Sequence, residues 1–571
     1  MPLSSQALFS GPLQDLVQNQ LQKLTQENSI PRLWAKEPGL WPDLTHQADI
    51  VRNNLRWLDL PDQLPPLIRR VVARAGQIEP AGLEDVVFIT FGEANLAARS
   101  ALRFPGAGLG KRTFLLDNID PAAVRALEKE IHLPKTLFIF ASKTGKKIET
   151  HSLLLYFLGR LKALGIPSPA QQIVSLTEES SYLGELSKEY DFIDAFHDPP
   201  GILGRFSSLI HFSFFLAALC RLNVEELMTR TLAMRAVCQE PAPEKNPAAS
   251  LAAFIAAART AGLDRMVIFS PSILQPVALR IGSLVGASTC RGGSGVVPVY
   301  GRVAHELEML RDSSFAVSVS LKGKEVQELE SKASAMRGLG VPEVRIELNG
   351  PEDLPAELFK WEIGTALACS QLEVNPFYDP DLRESRTRSA QALEEMIARR
   401  GAAAQTVRVR DREIELYAEG GTRQQISTMS LQEAFRTFFN LRVPDGYIAL
   451  LPFLPFSDSQ KKALHRIKAI LERVFRLPVL LTPGPRYLQT LGQIYLGGPA
   501  KGLFLILTSS AGADLPIPGA DFTFGQLQLA LALGEFDSLG RRRRPVIRLH
   551  FSNGADSGLS QLELTLGGMF R

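Results

Sequence analysis

The stretch Thr136–Thr150 reads T-L-F-I-F-A-S-K-T-G-K-K-I-E-T. Its first part, Thr136–Ala141, is an unbroken apolar run rather than an alternating one. That is the pattern of a strand buried on both faces, as in a parallel sheet covered by helices. The run stops at Ser142-Lys143-Thr144-Gly145, and a helical pattern follows over Glu149–Leu164. Strand, polar turn and helix make half of a βαβ unit. Runs of the same kind occur at Val86–Phe91, Thr113–Asp117 and Ile173–Thr177, with helical segments at Asn95–Leu102 and Pro121–Ile131.

Working outward, the rhythm recurs. Met266–Ser270, Val296–Tyr300, Phe315–Leu321 and Glu343–Leu348 read as strands, followed by a long helix over Pro355–Leu372. A third block has a strand at Tyr447–Phe453, a helix at Ser457–Val474 and a strand at Val479–Thr482, then strands at Gly502–Leu507 and Val546–Phe551. Proline-rich Cys238–Asn246 reads as a linker. Met1–Glu84 reads as mainly helical, with Trp34, Trp41 and Trp57 as packing anchors. The expectation is an α/β protein with a helical layer over residues 1–84, a first α/β domain over 85–240, and a second over 247–571 with a C-terminal α/β extension.

A chain of 571 residues is too long for a single core. Its formal charge of +3 gives no global electrostatic case for nucleic acid. The run Arg541–Arg544, between a turn signal and a strand, reads as a solvated loop. Cys220, Cys238, Cys290 and Cys369 lie far apart with no C-x-x-C, which points to reduced thiols in a cytoplasmic protein. No signal-peptide pattern opens the chain, and the apolar stretch Leu209–Cys220 is too short to cross a bilayer, so it reads as a core helix.

The turn after the first-quoted strand carries chemistry. Backbone N–H groups and the Ser142 and Thr144 hydroxyls lie at a helix start, Gly145 allows close approach, and Lys143, Lys146 and Lys147 add charge. Such a turn can hold a phosphate. It is not a Walker loop, because the G-x-x-x-x-G-K-[ST] spacing is absent. A plain helix cap with solvated lysines is the other reading of the same residues.

S-K-T at a strand end followed by Glu149-Thr150 resembles the sugar-phosphate loop of the phosphoglucose isomerases, members of the sugar-isomerase superfamily. The resemblance extends to R-L-W-A-K-E-P-G-L-W at Arg32–Trp41, N-N-L-R-W-L-D at Asn53–Asp59, G-I-L-G-R-F-S at Gly201–Ser207 and G-V-V-P-V at Gly295–Val299. It continues through Trp361-Glu362, Asn375–Phe377, G-P-R-Y-L at Gly484–Leu488, L-P-I-P-G at Leu515–Gly519 and F-T-F-G at Phe522–Gly525. The pattern is most like that of bacterial isomerases that also occur fused behind a transaldolase. It implies two sugar-isomerase domains, each a parallel sheet sandwiched by helices, and interconversion of glucose 6-phosphate and fructose 6-phosphate through an enediolate. It also implies a homodimer, a transaldolase partner, and no metal or organic cofactor.

Measured against that family, the phosphate loop is present as Ser142, Lys143, Thr144 and Lys147, with Glu149 in the cleft, and Arg205 stands where an arginine stabilises the enediolate. Other positions depart. The family's G-x-G-G-S loop is Thr90-Phe91-Gly92-Glu93-Ala94, so only the middle glycine, Gly92, remains, and Glu93 brings negative charge that Lys146 or Lys147 could balance. Ala287 occupies the position of the proton-shuttling glutamate, and a methyl group cannot accept a proton. Arg386 replaces a lysine, and Gln489, Tyr495 and Leu496 replace basic and ring-opening side chains, while Gln493 is kept. His305 and Glu306 read as surface residues. These departures imply either a degraded active site or a protein that binds or regulates without turnover. Ser142, Thr144, Arg205 and Ala287 are expected around one cleft between the two α/β domains.

Overall fold

The computed structural model describes residues 3–42, 48–78, 82–103, 111–301, 311–323, 326–401, 405–426, 429–510 and 512–569. His305 and Glu306 lie outside them. The chain forms an α/β structure of mostly parallel sheets flanked by helices, with a helical N-terminal region. It divides into two compact units: Met1–Leu115 with Lys135–Lys147 and Ser168–Tyr378, and Leu116–Pro134 with Ile148–Pro167 and Asp379–Arg571.

The first unit carries two five-stranded sheets. One runs in the order Arg112–Leu116, Asp85–Thr90, Thr136–Ala141, Ile173–Glu178, Asp194–Asp198, and its last four strands are parallel. Asp85–Thr90 and Thr136–Ala141 are buried at every position, which accounts for their unbroken apolar runs. The other sheet is ordered Ser5–Phe9, Glu343–Leu348, Ser314–Leu321, Arg265–Phe269, Val297–Tyr300. Ser5–Phe9 is its antiparallel edge, and the rest is parallel. This edge strand corrects the helical reading of the N-terminus at that point. Its strand character comes from pairing with Glu343–Leu348, a partner invisible to local sequence.

The helices Gln14–Gln26 and Leu60–Ile78 dominate the rest of the N-terminal region. Trp57 is fully buried, stacked on Phe206 at 5.3 Å and edge-on to Phe359 at 5.7 Å. Trp41 donates its indole N–H to Ala366 O at 3.0 Å. Trp34, partly buried, donates to Cys238 O at 3.1 Å. Leu209–Cys220 becomes the buried helix His211–Leu219, and Cys238–Asn246 becomes a short turn between the helices Val224–Cys238 and Pro247–Thr260.

The second unit has one six-stranded sheet, ordered Val409–Asp411, Ile414–Ala418, Val546–Phe551, Gly502–Ser509, Tyr447–Phe453, Val479–Leu481. The last four are parallel, and the first two add an antiparallel hairpin at the edge. It has its own apolar core, centred on residues such as Ile448, Leu505 and Leu549.

The buried helix Leu354–Gln371 contains a charge pair in the first unit's interior. Lys360 lies 2.8 Å from Glu357, which also accepts from Trp361 Nε1 at 3.0 Å and Ser4 Oγ at 2.6 Å. Removing one partner of such a pair leaves an uncompensated charge. Lys360→Met is therefore expected to destabilise the protein by about 3–5 kcal/mol in urea unfolding. Trp57→Ala is expected to cost a similar amount, about 3–5 kcal/mol, through cavity formation. A change below about 1 kcal/mol in either variant would contradict the packing described.

Candidate functional site

Thr90 and Ala141 are register partners, and Ala141 pairs with Leu176. The Gly92 loop and the Ser142 loop therefore leave the first sheet at neighbouring carboxyl ends, where α/β sheets hold ligands. The Ser142 loop is fastened to the next strand. Ser142 N–H donates to Leu176 O at 3.1 Å, Glu178 N–H donates to Lys143 O at 2.9 Å, and Thr177 Oγ1 donates to Ser142 O at 2.7 Å. Gly145 has φ +65°, and a Cβ there would meet Leu183 N at 2.2 Å, so glycine is required.

Two hydroxyls at these strand ends, Ser142 Oγ and Thr90 Oγ1, are buried and have no hydrogen-bond partner in the protein. Buried hydroxyls are paired in most structures, so two such groups at neighbouring strand ends are informative. Thr144 and Lys146 are exposed on the turn. The other two lysines reach backbone: Lys143 Nζ donates to Ile202 O and lies 3.6 Å from Glu178, and Lys147 Nζ donates to Phe91 O at 3.2 Å. Burial lowers the pKa of Lys143, with Glu178 and Asp198 pulling the other way.

Glu93 is buried at the start of the helix Glu93–Ala101. Sequence offered Lys146 or Lys147 as its partner. Its direct partners are instead Ser283 and Arg280. Ser283 Oγ donates to Glu93 Oε1 at 2.5 Å, while Arg280 lies 3.9 Å from Oε2 and donates to the Glu93 backbone O at 3.1 Å. On its other side Arg280 is 3.6 Å from Glu362, whose carboxylate accepts Ser208 N–H and Ser208 Oγ, both at 2.8 Å. Burial raises the pKa of Glu93 against the pull of Arg280, Ser283, Arg205 and Lys147, and pushes Glu362 up to about 7. Sequence reasoning missed Arg280 and Ser283. A lone arginine within apolar V-A-L-R-I-G-S-L-V-G-A was the available signal.

Arg280, Ser283 and Ala287 share the helix Gln275–Thr289. Gly282 lets that helix settle onto the strand Val297–Tyr300, because a Cβ there would lie 2.9 Å from Pro298 Cβ and 2.4 Å from Tyr300 OH. Ala287 is buried, and its carbonyl accepts from Arg291 at 2.8 Å. Arg205 is buried in the turn Gly204–Phe206 and donates to Pro376 O. Phe206 meets Phe377 at 5.2 Å, so the G-R-F-S and N-P-F segments pack together. Ser142, Thr144, Arg205 and Ala287 all belong to the first unit.

The remaining residues fall in the second unit. Gln489 Nε2 donates to Glu149 Oε1 at 3.3 Å, while Gln489 Oε1 is buried without a hydrogen-bond partner. Gln493 donates to Asp381 at 2.5 Å. Tyr495 and Leu496 are buried, with Tyr495 OH 3.0 Å from Thr482 Oγ1 and its ring 5.5 Å from that of Phe504, a core environment. Arg386 is exposed on the helix Pro380–Arg399. The tetra-arginine run is only partly solvated: Arg541 and Arg543 are exposed, while Arg544 is buried. Arg541 ends the helix Phe524–Arg541 and meets Asp537 at 2.8 Å, Arg542 pairs with Asp381 and Glu384, and buried Arg544 donates to Leu496 O and Gly498 O. Arg542 and Arg544 are thereby committed to contacts within the fold.

All four cysteines are buried and none forms a disulfide, and burial pushes each thiol up to about 12. Among the described residues no cluster of His, Cys, Asp and Glu could hold a metal, and no helix is long and apolar enough to cross a membrane.

No family model matches the chain. It is 32% identical over 145 residues to a glucose-6-phosphate isomerase of Carboxydothermus hydrogenoformans, a match covering 25% of this chain and 31% of that protein. With a glucose-6-phosphate isomerase of Methanocaldococcus jannaschii it shares 24% identity over 340 residues, covering 53% of this chain and 83% of that one. The matches to the first relatives span about a third or less of those proteins' lengths. A crystal structure of a glucose-6-phosphate isomerase from Chlamydia trachomatis shares the fold, with a TM-score of 0.50, 17% identity and coverage of 67% of this chain and 85% of that one. Weak sequence similarity and the shared fold together support a place in the phosphosugar-isomerase superfamily.

Proposed function

We propose that the protein binds glucose 6-phosphate and fructose 6-phosphate at the carboxyl ends of the first sheet, as a member of the phosphoglucose isomerase group. The observation that carries this reading is that Ser142 and Thr90, at the ends of two adjacent parallel strands, each bury a hydroxyl without a hydrogen-bond partner, Ser142 opening the turn that holds Gly145. Hydroxyl and backbone donors with a glycine turn suit a phosphate dianion. In this reading Ser142 and Thr144 hold the phosphate, Lys143 and Lys147 shape the loop, and Arg205 faces the oxygen that becomes negative in an enediolate. Such a cation is the provision that aldose–ketose chemistry needs at that oxygen.

The division into two sugar-isomerase domains, a homodimeric assembly, a cytoplasmic location and a transaldolase partner belong to the same proposal. No metal or organic cofactor is required by this chemistry. A second reading, sugar-phosphate binding without turnover, is favoured by Ala287 and by the core environment of Tyr495 and Leu496.

Titration calorimetry with fructose 6-phosphate tests the site. Binding to the native protein is expected in the micromolar to millimolar range. Ser142→Ala, which removes one phosphate donor, is expected to weaken it by about tenfold, the loss of about 1.5 kcal/mol that one charge-assisted hydrogen bond contributes. No heat and no thermal shift at millimolar ligand would overturn the assignment.

A further inference from the structure

Aldose–ketose isomerisation needs a carboxylate or similar base at the carbon that loses its proton, and Ala287 cannot serve. The first unit holds four other carboxylates near the Ser142 loop and the Arg205 turn: buried Glu93, Asp198 and Glu362, and partly buried Glu178. Three are committed. Glu178 is paired with Lys143, Asp198 accepts both the backbone N–H and Nδ1 of His211, and both oxygens of Glu362 accept from Ser208. Glu93 differs. Its Oε1 accepts from Ser283, but its Oε2 has no hydrogen-bond donor and only the looser 3.9 Å approach of Arg280.

Its placement is also specific. Glu93 Cγ lies where a Cβ on Gly204 would be 3.7 Å away, so the side chain passes directly beside the turn carrying Arg205. Ser283, its hydrogen-bond partner, precedes Ala287 by four residues on one helix. Positions spaced by four share a face, about 5–6 Å apart. A carboxylate is thus presented, from the Gly92 loop, to the helix face that carries Ala287, one turn before it.

We propose that Glu93 is the proton-transferring base of this protein, a catalytic residue relocated from the helix Gln275–Thr289 to the start of the helix Glu93–Ala101. This rests on the sugar-phosphate reading above. In the ketose-to-aldose direction the Glu93 carboxylate takes a proton from C1 of open-chain fructose 6-phosphate. The C1–H electron pair becomes the C1–C2 double bond, and the carbonyl π pair moves onto O2, facing Arg205. The O1 proton passes to O2, the C1 carbonyl forms, and the double-bond pair takes the proton back from Glu93 at C2. Nothing is oxidised or reduced, and no co-reactant is consumed. The charged groups facing Glu93 are Arg280 from its helix, Arg205 from the Gly204–Phe206 turn, Lys147 from the Ser142 loop and Glu362 from the helix Leu354–Gln371. Burial outweighs the cations and raises the proton affinity of Glu93, which brings it toward the range useful to a general base.

The test is exchange of the C1 proton of fructose 6-phosphate with deuterium oxide, followed by NMR, alongside calorimetric binding of the same sugar. The native protein should catalyse exchange. Glu93→Gln should lower it by about 10²–10⁴-fold with affinity changed only a few-fold, and Ala287→Glu added to that variant should restore part of it. Exchange that survives Glu93→Gln overturns the proposal, as does a native protein that binds the sugar without exchanging it. A native protein that does not bind the sugar overturns the underlying reading and the proposal together. Should Glu93→Gln not fold, the native pH profile decides: exchange rising with pH through a midpoint above 4.5, the ordinary glutamate value, supports Glu93, and a flat profile overturns it.

Discussion

A buried guanidinium between two buried carboxylates governs the first unit. Arg280 faces Glu93 on one side and Glu362 on the other, and each carboxylate in turn holds a serine, Ser283 or Ser208. Charges in a dry interior persist only when paired and hydrogen-bonded, so the three side chains fix one another's positions. Through them the Gly92 loop, the helix Gln275–Thr289, the helix Leu354–Gln371 and the turn before Ser208 are held in one arrangement. Burial raises the proton affinity of both Glu93 and Glu362 against the pull of Arg280.

That arrangement also explains why Glu93 need not repel a bound sugar phosphate. Read in isolation, a carboxylate in the first loop opposes a phosphate. In the folded chain its charge is met by Arg280 and by the Ser283 hydroxyl before it is felt at the Ser142 loop. The lysines behave in a complementary way. Lys143 and Lys147 each direct a donor to backbone, at Ile202 O and Phe91 O, while the Ser142 and Thr90 hydroxyls keep no protein partner.

The parallel strands were legible because burial on both faces demands unbroken apolar runs: Thr136–Ala141 and Tyr447–Phe453 occupy the spans that their runs mark. Strands that depend on a distant partner were not. Ser5–Phe9, Asp194–Asp198 and the hairpin Val409–Asp411 with Ile414–Ala418 are short and carry polar residues, and pairing alone makes them strands. At the site, the turn chemistry of Ser142–Gly145 could be read locally, because it needs only a strand, hydroxyls and a glycine. The partners of Glu93 could not, since Arg280 and Ser283 arrive from a helix far along the chain. Arg542 and Arg544 misled for the same reason: their acceptors Asp381, Glu384, Leu496 O and Gly498 O are all remote in sequence.

The central claim is a sugar-phosphate site at the ends of the strands Asp85–Thr90 and Thr136–Ala141. Its most direct test is a crystal structure of the protein with fructose 6-phosphate bound. The phosphate is expected within about 2.5–3.0 Å of Ser142 Oγ, the range of a hydroxyl-to-oxygen hydrogen bond, with the sugar carbons directed toward Glu93 and Arg205. A ligand ordered elsewhere, with Ser142 and Thr90 untouched, would contradict it.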